Sequence, residues 1–124
     1  MVNKLFWNTK IRHLTLRLLC LRPIIRGRVM CVCWAGSQFN CNPKAIALAL
    51  SKQKEFQIWF AFVNPKLFTK DIPNGINAVE IGSLEYYKLL TTSQFILSNI
   101  RFAGGYYCPF KKRKGQYYIQ TMHG

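Results

Sequence analysis

Apolar residues recur along this chain in alternating long and short blocks, and the two kinds of block carry different periods. Over residues 3–22, Trp7, Ile11, Leu14, Leu18 and Leu21 fall at spacings of four and three, a stripe one helix face wide. Lys4, Lys10, Arg12, Arg17 and Arg22 are distributed among them, so the pattern predicts a basic amphipathic helix. Pro23 ends it, and 22–28 reads as a connector. Residues 29–34 (Val-Met-Cys-Val-Cys-Trp) form a continuous apolar run of strand length, as a strand buried on both faces of a parallel sheet requires. After a loop with Gly36 and Ser37, Asn42 and Pro43 make a helix start: Asn caps free amides, and Pro suits the first helical position. The helix is expected to run to about Lys54, offering Ile46, Leu48, Ala49 and Leu50 to the sheet.

Residues 56–63 (Phe-Gln-Ile-Trp-Phe-Ala-Phe-Val) repeat the buried-strand pattern, and Asn64-Pro65 breaks it into a loop over 64–75. A short third strand is expected over 78–81. Ser83 then opens a helix with Glu85 in its first turn, where the helix dipole favours an anion, followed by Tyr86, Tyr87, Leu89 and Leu90. A fourth strand over 94–97 leads into Ser98-Asn99-Ile100-Arg101, and 101–115, with Gly104, Gly105 and Pro109, reads as a loop. Gly115 allows a turn, and Tyr117, Tyr118, Ile119 and Thr121 mark a last strand. Strand, helix, strand, strand, helix, strand, loop, strand is the order of an α/β fold with a mostly parallel sheet and flanking helices. Most aromatic residues lie inside these elements, so core packing explains them better than base stacking.

Composition narrows this picture. The 124 residues suffice for one domain, and at 50% hydrophobic and 15% aromatic they are not a charge-dominated disordered chain. Eighteen Lys and Arg against four Asp and Glu give +14, with seven cations and no acid in residues 1–28 and four more at 111–114. Such a balance implies a polyanionic partner. No helix-turn-helix, zinc-finger or aromatic-glycine RNA-binding signature accompanies it, so no specific nucleic acid is expected. The charges of 3–22 interrupt it too often for a spanning helix, which needs about 20 apolar residues, and leave no apolar core for a signal peptide. Two readings of that helix stay open: it lies on an anionic membrane surface, or it packs on its own domain with a solvated basic rim. Five cysteines, an odd number without C-x-x-C spacing, argue against a disulfide scaffold. Cys31 and Cys33 share a strand face but lack the further ligands zinc requires, so buried reduced thiols in a reducing cytosol are expected, with no metal or cofactor.

Candidate chemistry gathers at the end of the chain. His123 and Gly124 stand where the last strand would finish, and ligands of open α/β sheets bind outside the carboxyl ends of the strands. A histidine titrates near neutral pH, as a general base must, although on spacing alone a terminal histidine with no such role is the simpler reading. The helix N-terminus at Asn42 is able to hold a phosphate or simply to be capped. The cluster Lys111, Lys112, Arg113 and Lys114 either attracts an anion or is a solvated loop.

The order of these pieces resembles the CDP-glycerol:poly(glycerophosphate) glycerophosphotransferase family, the bacterial teichoic-acid polymerases and primases, over roughly residues 29–124. The likeness is carried by Asn42-Pro43-Lys44, by Ser83-Leu84-Glu85-Tyr86-Tyr87, by Ser98-Asn99-Ile100-Arg101, and most specifically by 112–124 (Lys-Arg-Lys-Gly-Gln-Tyr-Tyr-Ile-Gln-Thr-Met-His-Gly). Met122 stands where the family usually has Trp, and Cys41 where Asp is common. The resemblance implies a two-domain GT-B transferase. Residues 28–124 would be most of its N-terminal, acceptor-side Rossmann-like domain, preceded by a helix and connector over 1–27 and truncated before the donor-binding domain. It implies transfer of glycerol phosphate from CDP-glycerol to a polyol-phosphate acceptor, with His123 as general base. Arg101, Lys111, Lys112, Arg113, Lys114 and Asn42 are the expected substrate-binding residues. A chain holding half the cleft is expected to be inactive alone, its donor domain lying in the rest of a longer chain or in a second one, to lie peripherally on the inner face of the plasma membrane, and to self-associate through its open face; the alternative is a non-enzymatic basic module that binds an anionic membrane surface or a partner protein.

Overall fold

The computed structural model describes residues 9–99 and 113–121. In chain order these form α1 (Thr9–Leu19), β1 (Ile25–Val32), a 3-10 turn (Trp34–Gly36), α2 (Cys41–Ser51), β2 (Gln57–Phe62), a second 3-10 turn (Pro65–Phe68), β3 (Ile76–Glu80), α3 (Leu84–Thr92), β4 (Ser93–Ser98) and β5 (Tyr117–Gln120). The five strands make one sheet in the order β3-β2-β1-β4-β5, and every neighbouring pair is parallel. The expected α/β class with flanking helices is therefore the observed one.

Alternation along the strands sorts the core into two layers. Met30, Val32, Ala61, Val79, Ile81 and Ile96 point to one face and meet Tyr86, Tyr87, Leu89 and Leu90 of α3. Val29, Cys31, Ile58, Phe60, Phe62 and Leu97 point to the other, which α2 covers through Ala47 with Ile46, Leu48 and Leu50 at its margin. On that second face Phe39, Phe60, Phe62 and Phe68 form a continuous aromatic row, with ring centroids 4.5 to 6.1 Å apart. Phe60 and Phe62 of the sheet are core, Trp59, Phe95 and Tyr118 are partly buried, and Tyr117 is exposed. Cys31 and Cys33 are buried thiols on the same face as Phe60 and Phe62.

Several boundaries differ from the sequence reading. β1 starts at Ile25, inside the stretch expected to be connector. Ile25 pairs with Ser93, and Gly27 N donates to Gln94 Oε1 at 2.8 Å, so the neighbouring strand recruits residues whose own pattern is polar. β1 ends at Val32 because Trp34 and Ala35 both adopt positive φ, 49° and 56°. The residue capping α2 is Asn40, two positions before the expected cap at Asn42. Its side chain does not bond the helix amides, since its Oδ1 and backbone oxygen both accept from Cys33 Sγ, at 3.0 and 3.3 Å. Pro43 sits in the first helical turn, where a missing N–H costs no intrahelical bond. Ser83 caps α3 as expected, its Oγ accepting from Tyr86 N at 3.1 Å.

The largest correction concerns α1. The periodic stripe Ile11, Leu14, Leu18 and Leu21 faces outward, while Leu16 and Leu19 are buried against α3. The helix has apolar residues on more than one side, and the fold buries a pair that lies outside the periodic stripe. Among the described residues no helix is long and apolar enough to cross a membrane.

Candidate functional site

The parallel sheet has two unlike ends. Strand order reverses between β1 and β4, and in open α/β sheets that reversal opens a crevice at the carboxyl ends, where ligands bind. Three loops of the described chain build this end. After β1, three successive residues, Trp34, Ala35 and Gly36, hold positive φ. Strain of this kind in Trp and Ala persists only where the surroundings impose it. Here Gly36 O accepts from Val63 N at 2.9 Å, just beyond β2. A side chain at Gly36, whose φ is 91°, would run into Ile81 Cδ1 and the Val63 amide, so only glycine fits.

The other side of the crevice is Asn99, directly after β4 and fully buried. Its Oδ1 accepts from Trp34 N at 2.8 Å and ties the strained turn across the reversal. Its Nδ2 has no hydrogen-bond partner. One strand further, Thr121 follows β5, and its N–H donates to Ser98 O at 2.8 Å. The buried Thr121 Oγ1 is likewise unpartnered. Neither residue was singled out from sequence as a site residue. The motifs containing them were visible, but which polar atom would remain unused is a property of packing.

The amino end of the sheet is basic and tightly tied. Gln116, buried just before β5, donates from Nε2 to Leu90 O at 2.8 Å and to Ser93 O at 2.9 Å, while its Oε1 accepts from Arg113 N at 2.9 Å. The Arg113 guanidinium donates from Nη1 to Thr91 O, at the C-terminal end of α3 where carbonyls lack helical partners. Arg28 lies at the same end, with Nη1 on Thr92 Oγ1 at 2.7 Å and Nε on Gln57 Oε1 at 2.6 Å. Burial, and then the charge of Arg22, lowers its pKa below the ordinary arginine value.

Of the residues expected to bind substrate, Asn42 stands in the first turn of α2 at the carboxyl side, exposed. Arg113 and the exposed Lys114 precede β5 and so lie at the opposite end of the sheet from the crevice. Within the described structure Arg113 is an anchor between β5 and α3. Arg101, Lys111, Lys112 and His123 lie outside the described residues, as does Met122.

Comparison with solved structures places the fold. The wall teichoic acid polymerase TagF superposes with a TM-score of 0.72 at 23% identity, over 100% of this chain and 32% of that one. A histidine-to-alanine variant of TagF gives 0.72 at 23% over 93% of this chain and 30% of that one. A histidine-to-asparagine variant soaked with CDPG gives 0.73 at 22% over 100% and 32%. The chain thus spans about a third of the length of these polymerases. No curated protein sequence matches it. The model of the CDP-glycerol:poly(glycerophosphate) glycerophosphotransferases matches residues 14–124, nearly the whole chain including the strained turn, Asn99 and the terminal Gln-Thr-Met-His-Gly. On that match, the chain belongs to the CDP-glycerol:poly(glycerophosphate) glycerophosphotransferase family.

Proposed function

We propose that this chain forms the acceptor side of a glycerophosphotransferase that uses CDP-glycerol as donor and a polyol phosphate as acceptor. The observation that carries the reading is the family match running through residues 112–124, where a basic run, Gly-Gln, a strand and Gln-Thr-Met-His-Gly follow one another. In the reaction an acceptor hydroxyl oxygen bonds to the phosphorus bearing glycerol, the phosphoanhydride bond breaks, and CMP leaves with the bonding electron pair. His123 takes the hydroxyl proton, a role suited to a group titrating near neutral pH. Phosphoryl transfer rests on positioning and charge stabilisation, so a chain supplying one side of the cleft turns over negligibly until a donor-binding domain, in a longer chain or a second one, closes on it. Asn42, Arg101, Lys111 and Lys112 are candidates to hold the acceptor's phosphates, whereas Arg113 and Lys114, at the amino end, bear on it only at longer range.

The test is a chimaera in which this chain replaces the matched third of TagF, assayed for CMP release from CDP-glycerol with a polyol-phosphate acceptor. Release that disappears with His123→Ala is the expected result. A folded chimaera that releases none sinks the transferase reading, and release by the isolated chain sinks the need for a donor domain.

One observation favours a second role. Ile11, Leu14 and Leu18 are exposed on α1, with Arg17 exposed on the same helix and Leu21, Arg22 and Arg26 exposed after it. This combination suits a helix lying on an anionic lipid surface and would hold the protein peripherally on the inner face of the plasma membrane. Sedimentation with anionic vesicles at low salt, abolished at high salt, is expected, and indifference to such vesicles refutes it.

A further inference from the structure

We propose that Asn99 Nδ2 and Thr121 Oγ1 together form a subsite for an uncharged hydroxyl of the polyol-phosphate acceptor. The identity of the ligand rests on the glycerophosphotransferase reading, while the site itself rests on the geometry.

Buried polar side-chain atoms are almost always partnered, because leaving water without a new hydrogen bond destabilises the fold. The described chain leaves two such atoms unpartnered, and both are at the carboxyl end of the sheet, immediately beyond the paired residues Ser98 and Gln120 of adjacent strands. Asn99 borders the reversal of strand order between β1 and β4, the place where this architecture opens a crevice, and Thr121 stands one strand further out on the same side. Neither atom is needed to hold the backbone. Asn99 secures the strained turn through Oδ1 alone, and Thr121 is fixed through its N–H to Ser98 O. A folded chain gains nothing by burying a second amide donor and a hydroxyl with no partner, so the pair is poised for something from outside.

The chemistry of the pair selects the ligand class. Nδ2 offers a hydrogen, and Oγ1 accepts one, which is the complement of an aliphatic hydroxyl. Neither group is charged, whereas a phosphate oxygen would be matched by cationic donors. A polyol phosphate carries both kinds of group, and this subsite reads the hydroxyl. Thr121 stands two residues before His123 in sequence, so a hydroxyl held here is oriented close in the chain to the proposed base. Asn99 and Thr121 are on this account acceptor-binding residues.

The probe is sn-glycerol 3-phosphate titrated into the 124-residue chain by NMR, with inorganic phosphate in parallel. Thr121→Val replaces the hydroxyl by a methyl group of the same size. It is expected to raise Tm, because an unpartnered buried hydroxyl is gone, and to weaken glycerol phosphate about tenfold, the worth of one hydrogen bond. Affinity for inorganic phosphate should not change. Asn99→Asp keeps the acceptor for Trp34 N and removes the donor, so it is expected to retain the fold and lose glycerol phosphate. If it fails to fold, Thr121→Val decides alone. The proposal is overturned if Thr121→Val leaves glycerol-phosphate affinity unchanged, if it lowers Tm, if both ligands weaken equally, or if the wild-type chain binds no glycerol phosphate. Hydroxyl-dependent binding without CMP release from the chimaera would refute the transferase reading and leave the subsite standing; the converse refutes the subsite alone.

Discussion

Gln116 shows how one side chain can look like part of a substrate loop and act as a structural tie. From sequence it is the polar residue between a basic run and a strand. In the fold it is buried and satisfies Leu90 O, Ser93 O and Arg113 N at once. Gln116→Leu would leave all three without that partner, and a loss of about 2–4 kcal/mol in urea unfolding is expected. Cys31 illustrates the opposite case, a residue whose expected burial is fully realised. Its thiol is pushed up from 9.0 to about 12, first by burial and then by the neighbouring Cys33. The neutral form is thus favoured in the native state. Below about pH 9 both native and unfolded thiols are protonated, and the residue contributes no pH dependence. Between 9 and about 12 the unfolded chain releases this proton while the native chain retains it, so stability falls as pH rises. The slope approaches about 1.4 kcal/mol per pH unit. Unfolding curves of wild type and Cys31→Ala taken from pH 7 to 11 should run parallel and then converge above about pH 9.

At the scale of elements, α1 is where periodicity named the right structure and the wrong face. A 3.6-residue period detects a helix with a stripe, but it does not say which stripe meets the core when apolar residues occupy more than one side. Leu16 and Leu19 pack on α3, and Leu18, at 58% exposure, does not. Leu16→Ala is expected to cost about 2–4 kcal/mol, as for a buried leucine, and Leu18→Ala to stay within about 0.5 kcal/mol. Equal losses in thermal unfolding would mean that both stripes are covered. The strands behave otherwise. A parallel strand buried on both faces is apolar at every position, so β2 and β4 were found to within a residue at each end. β1 was displaced because its first residues are polar, and only pairing with β4 makes them strand.

For the whole molecule, the same contrast divides what composition and pattern determined from what packing decided. The sequence by itself determined the α/β class, the order of strands and helices, the apolar character of the central strands, the buried thiols and the family, because each follows from local periodicity, residue type or a contiguous motif. It did not determine that the sheet order is β3-β2-β1-β4-β5, which alone puts the crevice between β1 and β4. Nor did it separate the two ends of the sheet, so Arg113 and Lys114 looked adjacent in function to the residues after β5, only a few positions on. A parallel strand carries its flanking loops to opposite ends, and Arg113 lies with Arg28 at the amino end while Thr121 lies with Asn99 at the other. The unpartnered atoms of Asn99 and Thr121 were equally invisible, since a hydrogen bond left unmade is a relation between residues 22 positions apart in the chain. Local sequence sets what each segment is; the reversal of strand order and the closing of side chains around it decide which polar groups are spent on the fold and which are left for a ligand.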